Sequence, residues 1–583
     1  MWTSHGTVID DQVGDEKISD HMKNIYEELY NSVISDDALN NILAEVNNEI
    51  TGEDLSEVDK INEDLIKEAI GKLKKGKSDV EYDWKSDAFI HGVDSLASPL
   101  AFIFKSFLIH GHISNFLLLC ALVPIVKDNL GDKTSSSNYR AIAISSLFMK
   151  IFDWILLILF GKDLAPTYYQ FGFMKDCSTT MCSWVVTETI NYYTNRNTPV
   201  YCCLLDLTKA FDKVEFATLF QKLRRYIPSI FLRLLIFSYQ HQSCLVQWNS
   251  SRSSEFSIKN GVRQGAVASP IFFSLYLDDL FTFLEKSNFG CRIGPHYYGI
   301  SCYADDCGLL SPDCYGLQRM LDICKDYFDK HKITISTNII VKKSKTKCIA
   351  FGTNIIPVNI ILNDRALPWV ESWPHLGHLL HEDETMDHDL MQKRGQFIGK
   401  LYSLRREFGD KDPIVYMKLV SIYLSSFYGS NLWDLYGDKC KKLYSSWNIM
   451  VKMFFDLPRN THRNLIEAVS STSHLKIKLI KRFKKFFHTL DKCDKPHLKY
   501  LHNIQKEDVR SVYGRNVFNI CHDAGALSMA TVMVDNISYV PIHNDDQWRV
   551  PVEQELLEAR SGRLSLDLTR AEIYCFLDTV LIF

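Results

Sequence analysis

Three aspartates stand at the ends of apolar runs, where a carboxylate is unfavourable without a cation. Asp206 closes the run VYCCLLDL (200–207), which is typical of a short buried strand, and Asp305 and Asp306 lie in the turn of GISCYADDCGLLS (299–311). Removing such charges from water costs free energy unless a positive group compensates them. Few, hard oxygen ligands suit Mg²⁺, which also keeps water and substrate phosphate oxygens. Two such strand ends side by side predict a divalent metal site for two-metal displacement at phosphorus.

The Asp-Asp dipeptide alone is a weak signal. Four other pairs occur, and solvated turns or helix ends explain them: Asp10–Asp11, Asp36–Asp37, Asp278–Asp279 and Asp545–Asp546. The apolar strand setting of residues 305 and 306, together with the companion Asp206, is what favours a functional interpretation there.

Hydrophobic periodicity predicts the elements that position these carboxylates. Phe216, Leu219, Phe220 and Leu223 recur at helical spacing. The further predictions are a hairpin at 243–260, a helix at Pro270–Lys286, a helix at Leu317–His331 and a strand at 348–352. Beyond about residue 385 the pattern is nearly all helical. The predicted fold class is therefore α+β followed by an all-α region.

Composition indicates a globular, multi-domain chain with an uneven charge. It has 583 residues, 46% hydrophobic and 23% charged, with a net charge of -4. Residues 1–70 hold 4 basic and 18 acidic side chains, a net of -14, whereas residues 391–500 hold 22 and 9, a net of +13. The basic region predicts a polyanionic partner, and the acidic segment either repels that partner or solvates the chain.

The cysteines and the N-terminus predict an intracellular protein, in the nucleus or the cytoplasm. None of the 16 cysteines has C-x-x-C spacing, which favours reduced thiols and excludes a zinc ribbon or knuckle. The acidic N-terminus has no secretory signal core. The apolar stretch 116–126 is too short for a membrane span, and 142–160 contains Lys150 and Asp153. No membrane partner is expected.

Several motifs resemble those of reverse transcriptases, in order and in separation. The palm motifs are Asp206-Leu-Thr-Lys-Ala-Phe211-Asp212, then Gly261-Val-Arg-Gln264-Gly265 with Ser269-Pro270, then Tyr303-Ala-Asp305-Asp306. The fingers motifs are VPIVKD (123–128), Asn138-Tyr139-Arg140 and QFGF (170–173). With Leu376-Gly377-His378 and SSFYGSNLWDLY (425–436), the pattern is most similar to non-LTR, LINE-type retrotransposons, over roughly residues 60 to 570. Ala141 and Asp176 stand where that family commonly has Pro and Gly.

The resemblance implies a role for each candidate residue. Asp206 and Asp305 would be the principal ligands of two Mg²⁺ ions, with Mn²⁺ as an alternative, and Asp306 would contribute less directly because adjacent strand residues face opposite ways. Phe211 would exclude a ribose 2′-OH. Gln264 and Gly265 would line the nucleotide and template pocket. Lys127 and Arg140 would contact the triphosphate. Lys345 would protonate or neutralise the leaving pyrophosphate.

Some of these roles have plainer alternatives. Phe211 also fits a helix core, and Lys127 also fits a solvated surface. Lys343 and Lys347 compete with Lys345 for its role, since all three lie within five residues.

The resemblance also implies an architecture and an activity. We expect a right-hand polymerase with an acidic helical segment (1–75), fingers and palm (76–380), a basic helical thumb (381–510) and a helical C-terminal segment (511–583). It would extend a DNA primer 3′-OH with dNTPs on an RNA template. The rival hypothesis is a catalytically silent, retroelement-derived nucleic-acid-binding protein. Phe211 argues against an RNA-templated RNA polymerase.

The basic region 391–500 is rich in aromatic residues as well as cations. Cations that track a template–primer backbone and aromatics that stack on bases would suit a thumb, although core packing explains aromatic side chains equally well. The aromatics are Tyr402, Tyr416, Tyr423, Tyr428, Trp433, Tyr436, Tyr444 and Trp447. The acidic segment before the fingers is only 75 residues long, too short for the endonuclease domain that such elements carry. Target nicking is therefore not expected of this chain.

Overall fold

The computed structural model describes residues 8–529 except 34, 80–83, 130, 337–344, 354, 409–411, 463–465, 467–473 and 526–528. Two sequence predictions therefore lie partly or wholly outside the described residues: the C-terminal helical segment beyond residue 529, and any role for Lys343.

The described helices and strands have the following bounds. The helices are α1 (Asp15–Tyr30), α2 (Asp36–Glu49), α3 (Gly52–Glu57), α4 (Glu63–Gly71), α5 (Ser86–His91), α6 (Val93–His110), α7 (Asn115–Leu118), α8 (Leu147–Phe160), α9 (Thr179–Thr194), α10 (Phe216–Leu223), α11 (Ser229–Gln240), α12 (Ser269–Lys286), α13 (Cys314–Lys330), α14 (Asp387–Phe408), α15 (Pro413–Tyr423), α16 (Asp438–Phe454), α17 (Leu475–Asp491), α18 (Pro496–Gln505) and α19 (Val512–Asp523). The strands are β1 (Val8–Ile9), β2 (Gln12–Val13), β3 (Leu119–Val126), β4 (Tyr139–Ser145), β5 (Val200–Thr208), β6 (Ser243–Trp248), β7 (Ser251–Arg252), β8 (Phe256–Ser257), β9 (Arg292–Ile293), β10 (His296–Tyr297), β11 (Ile300–Tyr303), β12 (Asp306–Ser311), β13 (Thr334–Ile335), β14 (Lys347–Phe351), β15 (Ile361–Leu362), β16 (Arg365–Ala366), β17 (Ser372–His375) and β18 (His378–His381).

Strand β5 is the centre of an antiparallel sheet in the order β11-β12-β5-β13, with β14 also paired to β5. Its apolar run is explained by burial on both faces. Alternate side chains point to opposite faces of a strand, so Cys203, Leu205 and Leu207 pack into one hydrophobic core. The intervening Val200, Cys202 and Leu204 pack into a second core. The strand predicted at 200–207 is confirmed.

A second sheet lies upstream, in the order β4-β3-β6-β7, with β8 paired to β6. Strands β3 and β4 are antiparallel, and the register places Ile125 opposite Arg140 and Pro124 opposite Ala141. Strand β3 runs parallel to β6. Arg140 thus projects from a strand whose partner leads directly into Lys127.

The acidic N-terminal segment is part of the folded core. In α1, Ile18, Met22, Tyr26 and Tyr30 recur at intervals of four, and all four are buried in the first core. Cations of the central region neutralise acids of α2: Lys259 Nζ lies 2.7 Å from Asp36, and Arg224 pairs with Glu45 and Glu49. The prediction that this segment simply solvates the chain is therefore wrong, because its apolar stripe and its ion pairs bind it to the protein. Its repulsion of a polyanionic partner stays a prediction.

The region beyond residue 385 is helical as predicted, and its helices share the second core with β5. Four of the eight aromatics noted in its sequence are buried there: Tyr416, Trp433, Tyr444 and Trp447. Tyr402, Tyr423 and Tyr428 are exposed. Core packing thus accounts for four of these eight aromatic side chains, and three others are exposed to solvent.

One helix among the described residues, α6, has the length and hydropathy of a membrane span. It lies outside the apolar stretches 116–126 and 142–160. Its Ala97, Leu100, Phe104 and Leu108 are buried in the first core. A helix that packs on a core with one apolar face passes the same test of length and composition, so α6 does not by itself indicate a membrane.

The predicted elements around the carboxylates are confirmed. Helices α10, α12 and α13, the strand–turn–strand at β11–β12 and the strand β14 all lie where the periodicity indicated. One feature differs: Cys302 and Cys307, cross-strand partners in the β11–β12 hairpin with Cα atoms 4.2 Å apart, form a disulfide. This differs from the reduced thiols that the cysteine spacing predicts. The strand register that brings these two cysteines together is not visible in their sequence spacing.

Candidate active site

Asp206 lies near the end of β5, directly opposite Asp306 of β12 in the antiparallel register. Residues that face each other across such a pair project on the same side of the sheet, so the two carboxylates share a face. The backbone of Asp206 is fixed on both sides: its N–H donates to Thr346 Oγ1 at 3.2 Å, and its carbonyl accepts from the Ser336 N–H at 2.9 Å. The register therefore makes Asp306, rather than Asp305, the direct cross-strand neighbour of Asp206.

Asp305 occupies the tight turn between β11 and β12, and the turn has an unusual backbone. Ala304 has φ of 58°, a left-handed conformation that alanine rarely adopts. The fully buried Gln170 stabilises it, because its Oε1 accepts from the Ala304 N–H at 2.8 Å and its Nε2 donates to the Ala304 carbonyl at 3.2 Å. Gly172 packs against the same turn, where a Cβ would overlap the Ala304 nitrogen. The QFGF segment thus clamps the turn that presents Asp305.

Burial and neighbouring carboxylates disfavour the charged forms of Asp305 and Asp306. Partial desolvation raises the pKa of Asp306 to about 6, and the charges of Asp305 and Asp206 add to that rise. The pKa of Asp305 is also raised, first by burial, with Asp206 among the further causes. Arg140 and Lys345 oppose both rises. The structure therefore brings Asp206, Asp305 and Asp306 together with two cations.

Lys345 is the cation in direct contact with the carboxylates. Its Nζ lies 3.8 Å from Asp206 Oδ1, and its side chain is 68% exposed. Lys345, Asp206 and Asp306 line a cavity of about 250 Å³ that Trp373 and His375 close on the other side. The cavity leaves room beside Asp206 and Asp306, and among the described residues Lys345 is the cation that lines it. Lys347, in contrast, is buried in β14 with its Nζ 4.1 Å from the Trp373 ring centroid.

Lys127 lies just beyond the end of β3. Its Nζ donates to the Ser137 carbonyl at 2.8 Å. Burial lowers the pKa of Lys127, and the charges of Lys209, Arg140 and Lys345 lower it further. Lys209, Arg140 and Lys345 therefore lie close enough to Lys127 to repel its charge, and the four form a cluster of cations beside the carboxylates. Such a cluster is suited to bind a polyanion.

Phe211 begins a 3₁₀ turn (Phe211–Lys213) shortly after β5. Its ring stacks on Phe273 of α12, with centroids 4.1 Å apart at an interplanar angle of 20°. It meets Phe173 edge to face at 6.2 Å. The ring is half-buried, so it is packed at the edge of the first core rather than inside it.

Gln264 and Gly265 lie in the loop before α12. The Gln264 Nε2 donates to Asp212 Oδ1 at 2.7 Å, and its carbonyl accepts from the Ala143 N–H of β4 at 2.7 Å. Gly265 has φ of 116°, and a Cβ there would lie 2.7 Å from the Ala143 carbonyl oxygen. Only glycine fits such a conformation and such a close approach. The loop is thereby tied to the strand that carries Arg140.

The donor set at the carboxylates fits a divalent ion. Asp206, Asp305 and Asp306 share one edge of the sheet, the pKa values of Asp305 and Asp306 are raised by burial and by neighbouring carboxylates, and a cavity lies beside Asp206 and Asp306. A hard divalent cation relieves exactly this kind of repulsion and prefers oxygen ligands. Asp206, Asp305 and Asp306 are the residues that would hold it.

Among the described residues, one group of three candidate ligands has its ligand atoms within 4.8 Å of one another: His381, Asp383 and His388. The two imidazoles lie parallel, with centroids 3.7 Å apart and an interplanar angle of 5°. An ion in the plane of one ring would lie out of the plane of the other. The arrangement therefore fits an ion-paired stack at the turn before α14 rather than a metal site.

The exposed cations of the basic region are spread over several helices, and α17 carries two of them. Its Phe483, Phe486 and Phe487 are buried, whereas Lys481 and Lys485 are exposed on the opposite face. The spacing of four places these two lysines on one side of the helix. This basic face, formed by Lys481 and Lys485, is one of the places where the excess positive charge of the region meets solvent; the exposed cations of α14 (Lys400, Arg405 and Arg406) are another.

Several residues of the site were not predicted. Gln170 was noted only as part of a motif, without a role, and Asp212 was noted only as the end of another. Lys209 is identified by its effect on Lys127. The motif positions were a usable signal for Gln170 and Asp212, because a polar side chain in an apolar motif requires a buried partner.

Comparison with known proteins matches residues 127–379 to the family described as reverse transcriptase (RNA-dependent DNA polymerase). The chain is 26% identical over 224 residues to the Pol polyprotein of the type-2 retrotransposable element R2DM of Drosophila melanogaster, covering 37% of this chain and 21% of that protein. It is 24% identical over 359 residues to the RNA-directed DNA polymerase of the mobile element jockey of Drosophila melanogaster, covering 59% and 38%. The chain thus spans between a fifth and two fifths of the length of these relatives.

Among solved structures, a telomerase from Candida albicans in complex with a fragment of telomeric RNA aligns with a TM-score of 0.33 and 10% identity, over 73% of this chain and 67% of that one. A similarity at this level is too weak to support an argument. The assignment rests instead on the family match and the retrotransposon relatives, and on the α+β region that is followed by helices. Residues 127–379 form a reverse transcriptase domain of the non-LTR, LINE-type group within a right-hand polymerase fold.

Proposed function

We propose that this chain is an RNA-directed DNA polymerase that extends a DNA primer 3′-OH with dNTPs on an RNA template. The observation that carries the proposal is the gathering of Asp206, Asp305 and Asp306 at one sheet edge, where the pKa values of Asp305 and Asp306 are raised and a cavity lies beside Asp206 and Asp306. The carboxylates would hold two Mg²⁺ ions, or Mn²⁺ in their place. When bound, such ions lower the pKa of the attacking hydroxyl and stabilise the leaving oxygen.

The cations around the carboxylates would bind the nucleotide. Arg140 lies on β4, its charge acts on Asp305 and Asp306, and its guanidinium suits a phosphate. Lys127 lies in the same positive field. Lys345 is exposed, within 3.8 Å of Asp206, and is therefore the residue we assign to the leaving pyrophosphate. Lys347 is buried against Trp373 and is less suited to that role.

The residues after β5 would select the nucleotide. Phe211 is held by its stack on Phe273, which suits a rigid wall against a ribose 2′-OH. Gln264 and Gly265 lie on the loop that contacts both Asp212 and β4. They would line the pocket for the nucleotide and the template base.

The template–primer would lie between this site and the basic helical region. We assign residues 76–380 to fingers and palm, 381–510 to the thumb, 1–75 to an N-terminal segment and 511–583 to a C-terminal segment. The exposed Lys481 and Lys485 of α17 support a thumb that follows a phosphate backbone. A nucleic-acid template also implies action in the nucleus or the cytoplasm.

Primer extension on poly(rA)/oligo(dT) tests the proposal. We expect Mg²⁺-dependent incorporation by the wild-type chain and a loss of at least about 100-fold in Asp305→Asn, because loss of even an outer partner of a metal site costs roughly 10- to 100-fold. Asp329→Asn, which removes an exposed carboxylate paired with Lys325 on α13, is the matched control and should retain full activity.

Two outcomes would contradict it. Equal incorporation by the wild-type chain and Asp305→Asn would remove the active-site assignment. Salt-sensitive RNA binding without any incorporation would favour the catalytically silent nucleic-acid-binding protein instead.

A further inference from the structure

The end of α1 is joined to the loop that carries Gln264. The carbonyl of Tyr30, the last residue of α1, accepts from the N–H groups of Lys259 at 2.9 Å and Asn260 at 3.1 Å. The last carbonyls of a helix lack partners within the helix, and here the chain just before Gln264 supplies them. The N-terminal segment is thus attached to the nucleotide-pocket loop by main-chain hydrogen bonds.

The Tyr30 side chain extends this connection to Gln264 itself. Its hydroxyl donates to Asp212 Oδ1 at 2.9 Å, and the Gln264 Nε2 donates to the same oxygen at 2.7 Å. Tyr30 is 2% exposed and Asp212 is 7% exposed. Burial raises the pKa of Asp212, whereas the hydrogen bonds from Tyr30 and Gln264 favour its charged form. A buried carboxylate that loses one of these donors leaves an acceptor poorly satisfied, and the remaining partner must adjust.

Hydrogen bonds to the backbone of Phe211 and Asp212 also join this turn to the loop before Gln264. Asn260 Nδ2 donates to the Asp212 carbonyl at 2.7 Å, and the Val262 N–H donates to the Phe211 carbonyl at 2.8 Å. Gly261, with φ of 90°, packs so closely that a Cβ would lie 2.6 Å from the Asp212 carbonyl oxygen. These contacts hold the turn that contains Phe211 against the loop that contains Gln264.

We infer that Tyr30 is a positioning residue for nucleotide binding, acting through Asp212 on Gln264. The acidic N-terminal segment, which lies outside the matched reverse transcriptase domain, then completes the nucleotide pocket without touching the substrate. This inference rests on the proposed polymerase function. If Tyr30 acts in this way, loss of its hydroxyl should change the KM for the dNTP, because Gln264 loses its alignment. The carboxylates and the basic face should stay unchanged.

The decisive comparison is Tyr30→Phe with Tyr26→Phe. Both tyrosines are buried on the same stripe of α1, but among the described residues the Tyr26 hydroxyl has no hydrogen-bond partner. We expect Tyr30→Phe to raise the KM for dTTP on poly(rA)/oligo(dT) roughly three- to tenfold, the range of one lost hydrogen bond, with kcat within about twofold. Tyr26→Phe should match the wild-type chain, and template–primer affinity measured by anisotropy without dNTP should be equal in all three.

A double-mutant cycle separates positioning from a general loss of structure. In a Gln264→Leu background, Tyr30→Phe should add less than about a twofold further change in KM, because both changes act through the same oxygen of Asp212. Additive effects, or a KM for Tyr30→Phe equal to that of Tyr26→Phe, would overturn the inference while leaving the polymerase in place. An equal loss of kcat, affinity and melting temperature in Tyr30→Phe would also overturn it. No incorporation by the wild-type chain would instead remove the proposed function, and the inference with it.

Discussion

Asp206, Asp305 and Asp306 differ from the other Asp-Asp pairs of the chain in what surrounds them. Asp278 and Asp279, for example, lie on α12, where the Asp278 Oδ1 accepts from the Thr167 N–H at 2.6 Å and Asp279 pairs with Lys222 at 3.0 Å. Those carboxylates are satisfied by the protein itself. The three at the sheet edge instead repel one another, and the pKa of Asp306 rises to about 6. At the scale of single residues, the mutual repulsion of clustered carboxylates, which Arg140 and Lys345 only partly offset, is what favours a metal site here over a solvated turn.

Phe211 permits a test at this scale. Replacing it with valine should lower the selectivity for dNTP over rNTP by roughly tenfold or more, because a shorter side chain leaves space for a 2′-OH. The measurement is the ratio of kcat/KM for dTTP and for UTP in primer extension.

Phe273→Leu is the control for Phe211→Val. It disrupts the 4.1 Å ring stack that holds Phe211 but leaves the side chain at 211 intact, so its selectivity should fall by less than that of Phe211→Val. Unchanged selectivity in Phe211→Val would assign this ring to core packing alone.

At the scale of elements, one strand and one turn organise the site. Strand β5 is buried on both faces, which fixes the register that sets Asp206 opposite Asp306. The β11–β12 turn depends on Gln170 and Gly172, which hold Ala304 in a left-handed conformation. A conformation of this kind persists only where its surroundings over-determine it.

Gly172→Ala tests that dependence. The new Cβ would overlap the backbone nitrogen of Ala304, so the turn must shift and Asp305 with it. We expect kcat in primer extension to fall at least about tenfold, together with a lower free energy of unfolding by roughly 1–3 kcal/mol.

The control for Gly172→Ala is Gly395→Ala on α14, where a Cβ meets nothing within 4 Å. A helical glycine replaced by alanine should stabilise the protein by about 0.4–1 kcal/mol and leave kcat unchanged. Wild-type kcat in Gly172→Ala would show that the clamp on the turn is not needed for activity.

At the scale of the whole molecule, charge is separated by position. The acidic N-terminal segment is bound to the centre of the protein by apolar burial and by pairs such as Lys259–Asp36. The basic region keeps a net of +13 over residues 391–500, part of it exposed at Lys481 and Lys485. An RNA–DNA hybrid would therefore meet positive charge at the thumb, and its binding should weaken with salt.

Lys481→Gln/Lys485→Gln tests this basic face. The double variant should bind a template–primer more weakly without sequence preference, and the slope of log affinity against log salt should fall in magnitude by roughly 1–2. Anisotropy titrations over a series of salt concentrations measure both quantities.

Lys325→Gln/Lys330→Gln removes the same charge from α13 and should leave both quantities unchanged. An identical salt slope in the Lys481→Gln/Lys485→Gln variant and the wild-type chain would exclude α17 from the interface.

The amino-acid sequence by itself determined the carboxylate motifs, the strands and helices around them, the basic region and the family resemblance. These follow from local patterns, since periodicity and motif spacing act within short segments. Only the tertiary structure decided that Asp306 faces Asp206, that Gln170 stabilises the active-site turn and that Tyr30 reaches Asp212. Each of these contacts joins segments that lie from about a hundred to nearly two hundred residues apart. Such contacts depend on strand register and on how helices pack, and neither is encoded in any short stretch of sequence.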